Sequence, residues 1–255
     1  LLIFAGIVVR VPAGIVQTVD RIQTHGDPIL GLILLFLFFV VIALSILLTL
    51  GVRKIPVQYG KMMSGRKMVQ MRNQHIPLKV NATGVMPIIF ATSLILFPVQ
   101  MAQIFQEYEF FDKMQYYLSP GKVPYIITYA LMVVFFAYFY TAIQFNPRDL
   151  ADTIKKNGGF IPGIRPGKNT ADYLEWLLNR ITLSGGIFLA GIAIVPDIII
   201  RVWPEQVPTT MAYLFGGTSL LIIVGVALDT LKQIESQMMM RHYEGFMKKG
   251  KIKGR

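Results

Sequence analysis

The chain has 255 residues, of which 54% are apolar and only 15% are charged, and its formal net charge is +11. A soluble domain of this length does not combine so many apolar residues with so few charges, so we predict an integral membrane protein. The absence of cysteine excludes a disulfide framework and any cysteine-based metal or nucleophilic site. The basic excess indicates either membrane topology signals or an anionic partner.

The beginning of the chain, residues 1–9, is apolar but has less than half of the ~20 residues that a spanning helix needs. No basic stretch precedes it, so it does not resemble a signal peptide. We expect the end of a truncated transmembrane helix, followed by an external loop at 10–28. In that loop Ile15, Val19 and Ile22 fall on one face of a short surface helix.

Five later stretches are long and apolar enough to be complete transmembrane helices. They occupy residues 29–50, 84–105, 123–145, 181–200 and 209–228. The segments between and after them are predicted to be a basic loop at 51–83, an external loop at 106–122, a cytoplasmic loop at 146–180, an external loop at 201–208 and a cytoplasmic tail at 229–255.

The span at 84–105 differs from the others because it contains Pro87 and Pro98 and carries Thr92 and Ser93 near its middle. Prolines free backbone carbonyls that must find partners in neighbouring helices or in a water-filled cavity. We therefore expect an irregular helix that is buried in protein. Hydroxyl groups in such a helix bond back to their own backbone or join helices more often than they act as nucleophiles.

The loop at 51–83 carries seven basic residues and no acidic one. Its apolar residues alternate, which predicts extended strands and a hairpin with a turn at Ser64-Gly65. Arg66 and Lys67 lie at the expected tip. The basic residues are either a topology signal or a docking site for an anionic partner.

The loop at 146–180 holds Arg165 between Pro162-Gly163 and Pro166-Gly167. Two such pairs leave the backbone few conformations, so we expect the guanidinium at the tip of a stiff excursion. Two interpretations remain: Arg165 contacts a partner, or it braces its own loop by bonding nearby carbonyls.

The distribution of Lys and Arg predicts the orientation. Loop 51–83 has seven, loop 146–180 has six and the segment from Arg241 has six more, whereas the three opposite loops together have five. Cytoplasmic loops carry the basic excess in membrane proteins, so the basic loops and the C-terminus are predicted to be cytoplasmic, in the cell membrane.

Motifs for catalysis are missing from the sequence. No HExxH, phosphate-binding glycine loop or Ser/His/Asp grouping is present, and we predict no catalytic, cofactor-binding or metal-binding residues. Two acidic residues lie close to predicted spans: Asp197 follows the uncharged core that ends at Pro196 and is expected near the far interface, and Asp229 directly follows the last span. Asp229 is expected to pair with Lys232 at helical spacing, in a structural role that we weigh against a proton relay.

Four segments, taken in order, resemble the SecY family of protein-conducting channels. They read IPVQYGKMMSGRK with HIPLKVNATGVMPIIFATSLILFP, YALMVVFFAYFYTAIQFNPR, FNPRDLADTIKKNGGFIPGIRPGKNTADYL and YLFGGTSLLIIVGVALDT. The third is similar to the family's loop between the eighth and ninth transmembrane helices, and the resemblance covers essentially the whole chain. It implies a protein transport role: passing unfolded secretory polypeptides across the cytoplasmic membrane, and membrane proteins laterally into it.

The resemblance implies an all-α integral membrane protein, a multi-spanning helical bundle with one partial and five complete transmembrane helices. Family members have ten helices in two pseudosymmetric halves, and residues 1–9 match the end of the fifth helix. The chain therefore resembles the second half of the fold, with long cytoplasmic loops. We expect a fragment, or part of a complex, whose missing N-terminal half carries the plug and one wall of the lateral gate.

The resemblance also implies roles for individual residues. The apolar pore ring is expected to include Ile3, Ile89 and Ile222, although the residues alone suggest ordinary membrane isoleucines. The lateral gate helix is expected to carry Pro87, Ala91, Thr92 and Ser93. Docking of SecA or the ribosome is expected at Arg66, Lys67, Arg165 and Lys168.

The partners implied by the resemblance are SecE-like and SecG-like membrane subunits, the SecA motor ATPase, the ribosome through its RNA, the translocating polypeptide, the missing half and membrane lipids. A secondary solute transporter is the alternative, because it also uses broken helices. That interpretation needs polar groups near the middle of the membrane, and the spans offer almost none. A membrane anchor would leave the stiff Arg165 loop unexplained.

Overall fold

The fold was analysed in a computed structural model that describes residues 2–25, 28–59, 62–64, 67–69, 74–105, 109–204, 206–207 and 209–249. The helices are α1 (Leu2–Val8), α2 (Arg10–His25), α3 (Pro28–Leu50), α4 (Met86–Ile104), α5 (Glu109–Tyr117), α6 (Val123–Gln144), α7 (Pro147–Lys156), α8 (Lys168–Val202), α9 (Thr209–Phe215) and α10 (Gly217–Lys249). The strands are β1 (Val52–Tyr59), β2 (Met62–Ser64), β3 (Lys67–Val69), β4 (Gln74–Lys79) and β5 (Gly159–Phe160).

Five of the described helices are long and apolar enough to cross a membrane. The apolar stretches are Ile29–Leu50, Met86–Ile104, Val123–Lys156, Lys168–Val202 and Met211–Met240. The predicted multi-spanning helical bundle is therefore confirmed. Helix α5 and the first turns of α8 lie in stretches that composition alone assigned to loops. Helix propensity does not require a long apolar run, so such stretches form helices without crossing a membrane.

Prolines begin several of these helices without breaking them. Pro87 lies in the first turn of α4, where its missing N–H would have no intrahelical partner anyway. Pro98 is inside α4, which nevertheless continues to Ile104. The expected irregularity of this span is therefore not seen as a break in the helix.

Helix α6 shows how the bundle separates its core from its surface. Tyr125, Tyr129, Val133 and Ala137 recur every four residues and are buried. A second stripe with the same spacing is at least 49% exposed although it is entirely apolar: Ile127, Leu131, Phe135, Phe139 and Ile143. Residues four apart share a helix face, so the first stripe packs into the bundle and the second is suited to contact lipid.

The two long basic loops form one small subdomain with its own apolar core. We call it the basic-side subdomain; it consists of β1, β4, β5, α7 and the first part of α8. Strand β1 pairs antiparallel with β4, with Val52 opposite Lys79. It also pairs with β5, which comes from the second loop. The buried core includes Ile55, Val57, Leu78, Ile154, Ile161 and Leu174.

Glycines permit two close approaches that hold this subdomain in place. A Cβ at Gly159 would lie 2.9 Å from a ring carbon of Tyr59, so β5 packs directly on β1. A Cβ at Gly185 would lie 2.6 Å from the Val80 carbonyl oxygen, where the chain leaving β4 crosses α8. Any side chain at Gly185 would push that crossing away from the bundle.

Candidate functional site

A cavity of about 390 Å³ lies between α4, α10 and the turn that precedes α4. Ile89, from the first turns of α4, and Ile222, from α10, both line it, together with Leu221 and Val85. Two isoleucines that are 133 residues apart in sequence therefore face the same space. The part of the cavity wall that these four residues form is apolar and carries no hydrogen-bonding side chain.

The rest of the cavity wall is polar and lies toward the basic-side subdomain. Lys79 ends β4, Asn81 and Thr83 follow it in the turn, and Asp229 and Lys232 come from α10. No salt bridge forms between Asp229 and Lys232, both of which the structure describes, so the expected pairing is wrong. Both side chains are exposed to the solvent, where the attraction between such a pair is weak.

Of the three predicted ring residues, the structure brings Ile89 and Ile222 together. Ile3 belongs to α1, which contacts α10, but its side chain lies outside the described residues. Ile89 and Ile222 are half-buried, which fits side chains that line a cavity rather than fill a core. Their role as a pore ring stays a prediction.

The four residues predicted for the gate helix point in different directions. Pro87 and Ala91 are buried inside the bundle, Thr92 is half-buried and Ser93 is exposed. Both hydroxyl groups bond back to their own helix: Thr92 Oγ1 donates to the Ile88 carbonyl at 2.8 Å and Ser93 Oγ to the Ile89 carbonyl at 2.8 Å. Because Ser93 is exposed and Pro87 and Ala91 are buried, the face of α4 that carries Ser93 is the one available to meet a further helix.

The Arg165 loop is folded against the basic-side subdomain. Ile161 is buried in the subdomain core, and Gly163 and Gly167 have φ angles of 82° and 109°, which favour glycine. Buried Thr170 donates from Oγ1 to the Arg165 carbonyl at 3.0 Å. The loop is thus held by its backbone and by apolar contacts.

The side chains of Arg165 and Lys168 are both exposed. Within the part of the chain that the structure describes, the Arg165 guanidinium makes no hydrogen bond or salt bridge. The loop therefore keeps its shape without a contribution from that side chain. Both cations belong to the basic-side subdomain, whose strand β4 ends at Lys79 in the polar cavity wall.

The predicted hairpin tip is described only in part. Strands β2 and β3 pair antiparallel, with Ser64 opposite Lys67, which agrees with the predicted turn at Ser64-Gly65. Arg66 lies outside the described residues, and so does the side chain of Lys67. Their docking role stays a prediction.

Asp197 is a residue that sequence reasoning placed near the membrane surface and whose burial it missed. It is only 1% exposed, and its Oδ1 accepts a hydrogen bond of 3.2 Å from the Tyr213 hydroxyl. Its Oδ2 has no hydrogen-bond partner among the described residues. The sequence held one signal of this burial: an ionisable residue near the end of an apolar run, with Tyr125 and Tyr129 at helical spacing in another span.

Metal binding finds no support in the described residues. No three His, Cys, Asp or Glu side chains among them are close enough to hold an ion.

Comparison with known proteins places these features in a family. The family model described as SecY matches residues 1–231. Over 258 residues the chain is 40% identical to the protein translocase subunit SecY of Haemophilus influenzae, which covers 100% of this chain and 57% of that protein. It is 47% identical to the SecY subunit of Chlamydia trachomatis over 225 residues, covering 88% of this chain and 49% of that protein.

Two solved structures have the same fold at 18% sequence identity. One, described as "The structure of a protein conducting channel", has a TM-score of 0.56 and covers 80% of this chain and 49% of its own. The other concerns the plug domain of the SecY protein, with a TM-score of 0.55 and coverage of 89% and 58%. The chain spans about half to three-fifths of the length of the relatives that it matches, and it belongs to the SecY family.

Proposed function

We propose that this chain forms part of a protein-conducting channel, the Sec translocon, through which unfolded secretory polypeptides cross the cytoplasmic membrane and membrane proteins enter it laterally. The observation that carries the proposal is the shared cavity, which Ile89 of α4 and Ile222 of α10 line together. The chain conducts the polypeptide, and a partner supplies the energy.

The cavity has the two properties that such a passage needs. Its polar wall, with Lys79, Asn81 and Lys232, accepts a hydrated chain from the basic side. Its apolar part, with Ile89 and Ile222, excludes water when it is closed and fits around a passing side chain when it opens, as hydrophobic constrictions do. In this proposal Ile3 contributes to the same ring from α1.

Helix α4 is proposed to be the moving wall of the lateral gate. Its exposed face carries Ser93 with large apolar residues, among them Phe90 and Phe97. A small residue among apolar neighbours lets a helix part from its partner at modest cost. The partner helix is expected in the N-terminal half of the family fold.

The basic-side subdomain is proposed to be the cytoplasmic docking surface. It presents Arg165 and Lys168 from one loop, and the β1–β5 pairing joins that loop to the one that carries the separate β2–β3 hairpin. SecA offers carboxylates and the ribosome offers RNA phosphates, both of which basic side chains bind. SecE-like and SecG-like subunits are the expected membrane partners.

Cross-linking tests the channel proposal directly. A photo-reactive group attached through cysteine at position 89 is expected to label a secretory polypeptide stalled in the assembled translocase; the chain has no cysteine of its own to compete. The matched control is cysteine at Leu131, which is apolar and 65% exposed on the outer face of α6. Label from position 131 but not from position 89 would contradict the proposal. Absence of polypeptide label from both positions would also contradict it and would favour a solute transporter.

A second test concerns the hairpin. Changing Arg66 and Lys67 together to Glu is expected to weaken ribosome or motor binding, because each lost phosphate or carboxylate contact also removes a charge attraction. Wild-type affinity is expected to fall steeply as salt rises from about 50 to 200 mM. The measurement is the dissociation constant as a function of salt concentration.

The control for the hairpin is the same charge change at the other end of β1. Arg53→Glu with Lys54→Glu alters two exposed cations near the bundle. If both double variants bind equally well, with a salt dependence like that of the parent, the hairpin cations act only as topology signals.

A further inference from the structure

A cluster of polar side chains lies inside the bundle, away from the cavity. It consists of Thr92 on α4, Tyr125 and Tyr129 on α6, Asp197 on α8 and Tyr213 on α9. Tyr125, Tyr129 and Asp197 are at most 9% exposed, Thr92 is half-buried and Tyr213 is 39% exposed. We call these five residues the polar cluster.

The hydrogen bond between α4 and α6 in this cluster has a defined donor and a defined acceptor. The Thr92 hydroxyl and the Tyr129 hydroxyl are 3.1 Å apart. Thr92 already donates its only proton to the Ile88 carbonyl at 2.8 Å. Because a threonine hydroxyl has one proton and two acceptor positions, Tyr129 is the donor and Thr92 the acceptor. The tyrosine thus reaches across from α6 to the middle of α4.

The other end of the cluster attaches α6 to α8 and α9. The rings of Tyr125 and Tyr129 stack at 5.8 Å, and Tyr125 lies close enough to Asp197 and Tyr213 to interact with both. Tyr213 donates to Asp197 at 3.2 Å. The cluster therefore has one hydrogen bond at α4 and one at the corner where α8 meets α9, with the stacked rings of Tyr125 and Tyr129 between them.

Stability does not account for such a cluster. A buried carboxyl group with one unpartnered oxygen costs free energy, and an apolar side chain of similar size would pack there at least as well. Phe90 of α4 already packs its ring against Phe136 and Tyr140 of α6, at 6.0 and 5.3 Å. What the polar groups add to these apolar contacts is a fixed relative position of the helices.

We propose that the Tyr129–Thr92 hydrogen bond, backed by Asp197 and Tyr213, positions α4 in the closed state of the gate. The proposal rests on the proposed function, because it uses α4 as the gate helix. These residues are positioning residues, because none of them lines the cavity. Loss of the bond lets α4 leave α6 more often, although no side chain of the proposed ring is altered.

The test uses a set of four variants in the assembled translocase, reconstituted in liposomes. Tyr129→Phe removes the donor and leaves Thr92 bonded to Ile88. Thr92→Val removes the acceptor and leaves the buried Tyr129 hydroxyl unpaired. The double variant removes both groups, and Thr92→Ser keeps the acceptor. Ser45→Ala is the control, since the Ser45 hydroxyl on α3 bonds back to the Val41 carbonyl at 2.8 Å in the same way and bonds to no other helix in the described chain.

Two measurements are made on each variant: hydrogen exchange of the backbone amides in 86–104, and ion conductance of the resting channel. Both are expected to rise about three-fold in Tyr129→Phe, Thr92→Val and the double variant, the effect of one typical interhelical hydrogen bond in a bilayer. Thr92→Ser and Ser45→Ala are expected to match the parent. A further variant, Tyr213→Phe, removes the donor of the hydrogen bond to Asp197. It is expected to raise exchange in 123–144 as well as in 86–104.

Thermal unfolding separates positioning from general destabilisation. Thr92→Val is expected to have the lowest midpoint, because it buries an unpaired hydroxyl, and the double variant is expected to recover it. If conductance recovers together with the midpoint, or if Tyr129→Phe matches the parent in exchange, the positioning role is overturned. If exchange in 86–104 rises and conductance does not, the positioning role stands and the assignment of α4 as the gate is overturned.

Discussion

Arg165→Glu is expected to abolish motor-driven translocation while insertion and the resting seal stay intact. The side chain is exposed, and its guanidinium makes no hydrogen bond or salt bridge within the described chain, so its replacement removes no bond that holds the loop. An arginine binds a carboxylate or phosphate through two parallel hydrogen bonds, and Glu replaces that attraction with repulsion. We expect SecA affinity to fall at least thirty-fold, or by roughly 2 kcal/mol.

Two further variants separate contact from loop bracing. Arg165→Lys keeps the charge but not the two-bond geometry, so its affinity is expected to fall by about five-fold. Thr170→Val removes the hydrogen bond to the Arg165 carbonyl and leaves the guanidinium in place. It is expected to increase proteolytic cleavage in 158–170 more than Arg165→Glu does. Normal SecA affinity with Glu at position 165 would exclude the docking role.

Ile222→Asn is expected to make the resting channel leak ions. The substitution places a hydratable amide in the apolar part of the cavity, where an unpaired polar group costs roughly 1–3 kcal/mol unless water enters. Wetting lowers the barrier to ions and favours the open state. We expect conductance of the reconstituted resting channel to rise about ten-fold, and Ile89→Asn to act in the same way.

The control for the ring is the next residue along α10. Ile223 has the same side chain but lines a different, apolar groove of about 420 Å³, with Phe38 and Val8. Ile223→Asn is expected to destabilise the bundle without the specific leak. If Ile222→Asn and Ile223→Asn leak equally, the seal is not made by the side chains of this cavity.

Hydropathy alone located the spans, because crossing a bilayer is a local requirement. A stretch of ~20 apolar residues must satisfy its backbone hydrogen bonds within itself, and a helix does so whatever its neighbours are. Each of the five stretches found from sequence overlaps one candidate membrane span of the described helices, although three of those spans extend more than ten residues into the predicted loops or tail. The strands of the basic loop were also predictable, since alternation of apolar residues is a local pattern.

The tertiary structure alone decided which apolar residues face a cavity and which face lipid. Ile89, Ile222 and Ile223 are equally apolar, so only the packing of α4 against α10 assigns the first two to one cavity. The pairing of β1 with β5 likewise joins loops that are separated by two spans.

Asp197 illustrates the same limit for polar groups. The sequence placed it at the end of an apolar run, which is typical of an interfacial residue. In the fold, Tyr213 donates a hydrogen bond to it, and it is buried beside Tyr125. These partners come from helices more than fifteen and seventy residues away in sequence, so no local pattern records the contact. The length and polarity of each segment are local properties, whereas the neighbours of a buried side chain are set by how the helices pack.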